Sequence, residues 1–174
     1  MVSESSPSEL SVMEVRALIR QRHLEEGIVQ SRDVLERMEI MFNLMRLTTR
    51  LVRDFESVHR PLGGTWAGFR ILNLLWAAGD LEPRDLARLT GASRASISSA
   101  LNTLETLGQV TRHTRPTNRR SVRVALTDKG REALSLAMVE QASRERAWLD
   151  VLTPAERATL RHLIARLHDQ EPPQ

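Results

Sequence analysis

One stretch of the chain, Leu81 to Arg131, restricts the fold more than any other part of the sequence. It begins with two short amphipathic segments, over 83–89 and 94–107, which are separated by Thr90-Gly91-Ala92. Ser93 is a favourable N-cap for the second segment, and both segments have helical periodicity. Two strand-like segments then flank a turn rich in Arg, and a new helix begins. This order predicts a winged helix-turn-helix.

Positive charge is concentrated in this stretch. Residues 82–131 contain ten Lys or Arg and four Asp or Glu, a net charge of +6, whereas the rest of the chain contains 15 and 18, a net charge of −3. A module that neutralises DNA phosphates needs such an excess of cations. We therefore predict double-stranded DNA as its partner. The alternative is a solvated basic face without a partner.

The composition excludes several classes of site. Without cysteine, the chain has no disulfide, thiol sensor or cysteine metal site. Its five histidines are scattered, so we expect neither a metal nor a cofactor. The sequence has no run of 18 apolar residues and no basic, then apolar, start typical of a secretory signal. A cytoplasmic protein without a membrane partner is therefore predicted.

Motifs for catalysis are also lacking. The sequence contains no Gly-rich phosphate loop, no nucleophile elbow and no His-rich metal motif. We therefore predict that the protein is not an enzyme. A ligand-insensitive architectural or protein-binding winged-helix module is the alternative to a DNA-binding regulator, and the concentrated positive charge argues against it.

The remaining segments have helical patterns, which predicts a mainly α fold with a small β-wing and a helical dimerisation region. A long helix over about 33–59 carries two apolar seams and should therefore bury two faces. The helix over 66–78 is predicted to bury Phe69 and Trp76, among others. We divide the chain into an N-terminal extension at 1–32, helical from about 8 to 26, a helical dimerisation region at 33–64 and 128–169, a winged helix-turn-helix DNA-binding domain at 65–127, and a tail at 170–174.

The helices outside the winged domain carry more apolar surface than one small domain can cover. A two-fold homodimer with interlocking terminal helices would bury this surface. Its two recognition helices would then lie about one DNA turn, ~34 Å, apart, which requires an inverted-repeat operator. The alternative is that these helices complete the core of a monomer.

The outward face of the second helix of the motif is small or polar, so the helix can enter the major groove deeply. On this face, Arg94 is a candidate for contacting guanine and Asn102 for contacting adenine. The predicted face consists of Arg94, Ala95, Ser96, Ser98, Ser99 and Asn102. Ordinary surface residues are the alternative interpretation of this face.

The turn between the two predicted strands, Val110–His113 and Val122–Leu126, carries the other DNA-contacting candidates. Arg119 and Arg120 are predicted to enter the minor groove. Phosphate contacts, which position the protein without specifying sequence, are predicted for Arg112 and Arg115, together with His113 and Arg123.

The sequence resembles the MarR family of bacterial winged-helix transcription regulators over about residues 33–168. The most specific segments are LARLTGASRASISSALNTLETLGQVTR and RPTNRRSVRVALTDKG, and LTPAERATLRHLIARL is similar to the family's final dimerisation helix. The resemblance implies a homodimer that represses by occupying promoters and is often released by small aromatic or anionic ligands. The absence of cysteine excludes the peroxide-sensing branch.

The sequence departs from the family at two positions in and near the wing. Asn118 replaces the usual acid, so it can bond Arg120 only without charge assistance. Gln109 replaces a usual leucine, which predicts looser packing at the root of the wing. A family-type effector cleft would be lined by Met45, Trp66, Phe69, Arg70 and Trp148. The alternative is plain core packing for the Met and aromatic residues and a surface salt bridge for Arg70.

Overall fold

The computed structural model describes residues 11–28, 31–60, 64–115 and 118–171, apart from the side chains of Met13 and residues 115–121. The predicted fold class is confirmed, because the described chain is mainly helical with one two-stranded antiparallel sheet. The elements are α1 (Val12–Glu25), α2 (Arg32–His59), α3 (Trp66–Ala78), α4 (Pro83–Thr90), α5 (Arg94–Thr106), β1 (Val110–Arg115), β2 (Asn118–Leu126), α6 (Asp128–Leu149) and α7 (Pro154–His168).

The chain divides into two compact units, residues 1–51 and 52–174. In the first unit, Ser11 begins α1 with a capping box in which its Oγ accepts from the Glu14 amide. Arg16 on α1 pairs with Glu39 on α2. α1 lies within the segment of about 8–26 that the sequence predicts to be helical, and residues 8–10 of that segment lie outside the described part of the chain.

The apolar seams of α2 are not buried within the described residues of the first unit. Leu35 is buried there, but Met38, Met41 and Met45 are exposed. The expectation of two buried faces is therefore wrong for a single chain. Helical spacing shows that these apolar side chains share a face of α2, but it does not provide a surface of the same chain that packs on that face.

The second unit contains the main apolar core. Its fully buried members include Ile71 of α3, Leu86 of α4, Leu101 of α5 and Val124 of β2. Trp76 was expected in this core but is 60% exposed. The buried positions of α3 end at Leu75, and the next residue is turned 100° away from that face.

Turn chemistry places α4 and α5 as the sequence predicts. Gly91 has φ +67°, which lets the chain turn after α4 without strain on a side chain. Ser93 then caps α5, its Oγ accepting from the Ser96 amide at 3.1 Å. On the inner side of α5, Ile97 and Leu104 are buried.

The wing is an antiparallel hairpin whose strands extend further than predicted. The pairing runs from Val110 opposite Leu126 to Arg115 opposite Asn118, with an irregularity between Thr114 and Arg115. The ladder therefore continues into the segment that was expected to be only a turn. Backbone hydrogen bonds from Leu81 to Val124, in both directions, attach the hairpin to the loop before α4.

The root of the wing packs closely, contrary to the prediction made from Gln109. The backbone carbonyl of Gln109 accepts from the Thr127 amide at 3.1 Å. The side chain of Gln109 is buried. A Cβ built on Gly130 would lie 2.1 Å from this carbonyl oxygen and 2.7 Å from Leu126. Glycine at the start of α6 therefore allows the backbone of Gln109 to approach this helix closely.

We expect Gly130→Ala to destabilise the protein by about 1–3 kcal/mol, because the clash involves a backbone atom. Thermal unfolding should then occur several degrees lower than in the wild type. Gly64→Ala is the matched control, since its added Cβ would meet only the His59 carbonyl at 3.7 Å. Equal melting temperatures for the two variants would contradict the prediction.

The last helix, α7, has a complete N-terminal cap but packs against little of the chain. Thr153 and Glu156 form a capping box, and Arg157 donates to the Leu152 carbonyl at 2.6 Å. No residue of α7 is buried in the single chain. Within the described residues, no helix is both long enough and apolar enough to cross a membrane.

Candidate nucleic-acid interface

The predicted contact face of α5 lies on the surface of the second unit. Its six residues are all exposed, while the opposite side of the helix enters the core. The face presents short polar or small side chains with Arg94 at the N-terminal end of the helix. The structure therefore brings together Arg94, Ala95, Ser96, Ser98, Ser99 and Asn102 in the arrangement the sequence predicts.

Asn102 is already bonded to the wing. The Nη2 of Arg112 on β1 donates to its Oδ1 at 2.8 Å, and the Nη1 of Arg112 lies 3.3 Å from the carboxylate of Glu105. The sequence indicated Asn102 and Arg112 as separate candidates, and Glu105 was not among the predicted contact residues. The spacing of Asn102 and Glu105, three residues apart on α5, was the available signal.

Two other basic residues of the wing are held by the loop after α3. The Nε2 of His113 lies 3.1 Å from an Asp80 carboxylate oxygen, and Arg123 donates to the Asp80 carbonyl. Arg123 is half-buried, and its Nε has no hydrogen-bond partner within the described part of the chain. These contacts attach the wing to the loop after α3, and the predicted phosphate contacts of His113 and Arg123 stay predictions.

Four of the predicted DNA-contacting residues of the wing lie at the adjoining ends of its two strands. Arg115 ends β1, and Asn118, Arg119 and Arg120 begin β2. The side chains of these four residues lie outside the described part of the structure. Their contacts with phosphate or the minor groove stay predictions.

A cavity of about 360 Å³ lies between α3, the end of α4 and α6. Three predicted effector residues, Trp66, Phe69 and Arg70, line it. Trp148 is not among its lining residues, and its indole Nε1 donates to an Asp54 carboxylate oxygen at 2.6 Å. Met45 belongs to the first unit, where it is exposed. The other lining residues are Asn73, Leu74, Leu89, Thr90, Met138, Gln141, Ala142 and Glu145.

Arg70 links this cavity to the helix-turn-helix. Its Nη2 donates to the carbonyl of Thr90, the last residue of α4, and its guanidinium lies 5.9 Å from the ring centre of Trp66. The surface salt bridge considered for Arg70 is therefore replaced by a bond to the turn that positions α5. A ligand that moved this guanidinium would act directly on the helix-turn-helix.

A buried histidine lies beside the cavity and was not selected from the sequence. His59 is 1% exposed, and its ring stacks on Phe69 with a centroid distance of 4.5 Å. Its Nε2 lies 3.1 Å from Oε1 of Gln141, whose Nε2 donates to Glu145 at 2.9 Å. Because Gln141 presents an acceptor, the Nε2 of His59 carries a proton and donates.

Burial lowers the pKa of His59 below its ordinary value of 6.5, outweighing the Gln141 hydrogen bond and the negative charge of Glu56, which both raise it. The unfolded chain therefore binds a proton at a higher pH than the folded chain does. Below about pH 6.5, protonation favours unfolding, and stability is lost as the pH falls.

We expect the melting temperature to fall between pH 7.5 and pH 5.5 more in the wild type than in His59→Phe, which has no imidazole to protonate. His162→Gln is the matched control, because His162 is exposed on α7, and it should retain the wild-type fall. An identical fall in the wild type and His59→Phe would show that another group is responsible.

No group of three or more His, Asp or Glu side chains suited to a metal ion occurs among the described residues. The second unit offers hydrogen-bonding groups and positive charge on the α5 and wing surface, and a partly aromatic cavity between α3, the end of α4 and α6.

The comparisons with known proteins agree with this architecture. The model of the MarR family matches residues 65–122, which extend from the N-cap of α3 into β2. The HTH-type transcriptional regulator YwaE of Bacillus subtilis is 32% identical over 136 residues, which cover 78% of this chain and 80% of the relative.

Two solved structures extend the comparison. The transcriptional repressor CouR, bound to a 23-mer DNA duplex, is 31% identical with a TM-score of 0.67, over 73% of this chain and 90% of that one. The PcaV transcriptional regulator from Streptomyces coelicolor, in complex with its natural ligand, is 25% identical with a TM-score of 0.63, over 71% of this chain and 89% of that one. With this similarity over most of its length and a winged helix-turn-helix at its centre, the chain belongs to the MarR family of DNA-binding transcription regulators.

Proposed function

We propose that this regulator is a homodimeric repressor that occupies an inverted-repeat operator and leaves it when a small aromatic or anionic effector binds. It acts on cytoplasmic DNA, without a metal, a cofactor or a catalytic step. The observation that carries the proposal is the combination, in one chain, of an exposed polar α5 face with a terminal helix whose apolar side chains are uncovered.

The homodimer rests on the uncovered apolar surface. Along α7, Leu160, Leu163, Ile164 and Leu167 recur at helical spacing, and all four are exposed in the single chain. An exposed apolar patch of this kind on a globular protein marks an interface. A second copy supplies the complementary surface because a two-fold interface uses the same patch on both subunits.

The inverted repeat follows from the dimer. Two-fold symmetry presents two α5 helices to one side of the duplex, and each enters the major groove of its own half-site about 34 Å from the other. Ser96 and Asn102 are then available for base edges, while Arg119 and Arg120 of each wing approach the adjacent minor groove. The segments 33–64 and 128–169 join the two winged domains at 65–127.

Release by an effector rests on the cavity beside the helix-turn-helix. Trp66 and Phe69 offer apolar ring surface, and Arg70 offers a positive charge, which together suit an aromatic anion. Binding an anion would compete with the Thr90 carbonyl for Arg70 and so disturb the turn before α5. A MarR-type structure solved with a natural ligand, that of PcaV, supports an effector in principle.

The proposal is tested by selecting duplexes from a random pool with the full chain and measuring affinity for the selected and scrambled duplexes over a range of salt. We expect an inverted repeat that is bound at least about a thousandfold more tightly than scrambled duplex, with affinity falling steeply as salt rises. Simple aromatic carboxylates, added singly, should release the complex. Equal affinity for both duplexes would indicate an architectural or protein-binding module instead.

A further inference from the structure

We infer that Glu105 is a specificity-determining positioning residue that acts on base recognition through Arg112 and Asn102. The inference rests on the proposed operator binding. Glu105 lies on α5 one turn beyond Asn102 and contacts the wing residue Arg112, so it joins the recognition helix to the hairpin. Glu105 itself would not contact the DNA.

The first step is the orientation of the Asn102 amide. Because Arg112 donates to Oδ1 at 2.8 Å, turning the amide over would bring its NH₂ group against a guanidinium that can only donate. The amide is therefore held with Nδ2 available to other acceptors. Glu105, 3.3 Å from the other terminal nitrogen, holds the guanidinium in place for this bond.

The second step concerns the base. An asparagine that pairs with adenine uses its oxygen and its nitrogen together, accepting from N6 and donating to N7. Here one of the two lone pairs of the oxygen already accepts from Arg112, which weakens the oxygen as an acceptor for N6 and leaves donation from Nδ2 as the main contact of Asn102. Guanine offers N7 and O6, two acceptors, on its major-groove edge. We therefore expect Asn102 to favour guanine, in place of the adenine predicted from the sequence.

The third step concerns phosphates. A guanidinium on the DNA-facing lobe would bind any phosphate within reach, and such contacts add affinity without sequence preference. The Glu105 carboxylate competes with phosphate for Arg112. This assigns Arg112 a positioning role in place of the phosphate contact predicted from the sequence. Removal of the carboxylate would convert Arg112 into a non-specific contact and release Asn102 at the same time.

Glu105→Gln tests the inference, and Asp85→Asn is its matched control. Both variants remove one negative charge from an exposed helix of the same lobe, but Asp85 lies 3.8 Å from Arg88 and has no bond to α5 or the wing within the described residues. Dissociation constants are measured for the selected operator and for a scrambled duplex, at several salt concentrations.

We expect Glu105→Gln to bind scrambled duplex several-fold more tightly and to steepen its salt dependence by about 1.8 in log–log slope, about 0.9 for the phosphate contact added in each subunit of the dimer. The affinity for the operator should not rise. The ratio of operator affinity to scrambled-duplex affinity should therefore fall about tenfold. Asp85→Asn should raise both affinities alike and leave the ratio unchanged. A ratio that falls equally in both variants, or in neither, would overturn the inference.

Arg112→Lys separates positioning from charge. It retains the positive charge, but a single ammonium cannot reproduce the planar pair of bonds to Asn102 and Glu105. Scrambled-duplex affinity should stay within about twofold, while a new selection should lose the base preference at the position nearest Asn102. Unchanged selection, or a parallel loss of both affinities as expected from a merely destabilised wing, would contradict the positioning role.

The two proposals fail differently. A wild-type protein without preference for any selected duplex would remove the proposed function. If the wild type prefers its operator and the affinity ratio is the same for Glu105→Gln and Asp85→Asn, the proposed function stands and only the role of Glu105 is removed.

Discussion

Ile164→Glu is expected to sediment as a monomer at micromolar concentration and to bind the operator about 100-fold or more weakly than the wild type. Linking two DNA-binding modules raises affinity by about 10²–10⁴ because the second half-site is bound intramolecularly. A carboxylate at the centre of an apolar interface would have to be buried without a partner, which opposes association strongly.

The position is chosen from the exposure pattern of α7. Ile164 is 50% exposed in the single chain and lies at the centre of an apolar row formed with Leu160, Leu163 and Leu167. The row follows helical spacing, so its members share one face. The core of the second unit contains no residue of α7, and the winged lobe should therefore fold in the variant.

Ala165→Glu provides the matched control. It adds the same charge to the same helix, one residue further and on a different face, at a position that is also exposed. We expect it to sediment as a dimer and to bind the operator within about threefold of the wild type. A dimeric Ile164→Glu, or a monomeric wild type, would exclude α7 from the interface.

The elements of the winged domain were predictable because local chemistry decides them. Ser93 caps α5 and Gly91 takes a left-handed conformation, as their positions in the sequence suggest. Neither feature depends on distant residues. The wing strands were predicted too short, because pairing across the hairpin extends regular structure into a segment whose composition favours a turn.

Contacts between distant residues were not predictable from pattern. His59 and Gln141 are 82 residues apart, and nothing in the local sequence of either indicates their hydrogen bond. Glu105 meets Arg112 only because the hairpin returns beside α5 at a particular register. Periodicity identifies which face of an element is apolar but does not identify the element that contacts it.

The candidate effector cavity shows the same division. Trp66, Phe69 and Arg70 lie on consecutive turns of one helix, and they were selected together and line one cavity. The wall contributed by α6 was missed: Met138 and Gln141 share one face of that helix, but helical spacing does not show which element the face meets. The bond from Arg70 to the Thr90 carbonyl was also missed, since a backbone acceptor leaves no signal in a sequence.

Arg120→Ala is expected to weaken operator binding by about 1–3 kcal/mol for each wing. A homodimer presents two wings, so the affinity should fall by at least about 25-fold. The expectation rests on the place of Arg120 near the start of β2, close to the connection between the two wing strands. An arginine on such a loop is suited to the negative potential of a narrow minor groove.

Asn118 makes this prediction more specific. It lies two residues before Arg120 in the sequence, at the position where the family usually has an acid, so its amide is a candidate partner for the Arg120 guanidinium. A neutral amide can orient the guanidinium, but an aspartate would do so with charge assistance. We therefore expect Asn118→Asp alone to bind the operator at least as tightly as the wild type does. The double variant with Arg120→Ala should bind the operator as weakly as Arg120→Ala alone.

Arg131→Ala serves as the control for charge, because Arg131 is exposed at the start of α6 and lies 3.9 Å from Asp128. Removing it should weaken operator and scrambled duplex to a similar, small extent. The Arg120 variant should lose affinity for an operator flanked by A·T base pairs more than for one flanked by G·C, because the minor groove of A·T tracts is narrower. A loss equal to that of Arg131→Ala, and indifferent to the flanks, would limit Arg120 to general electrostatic attraction.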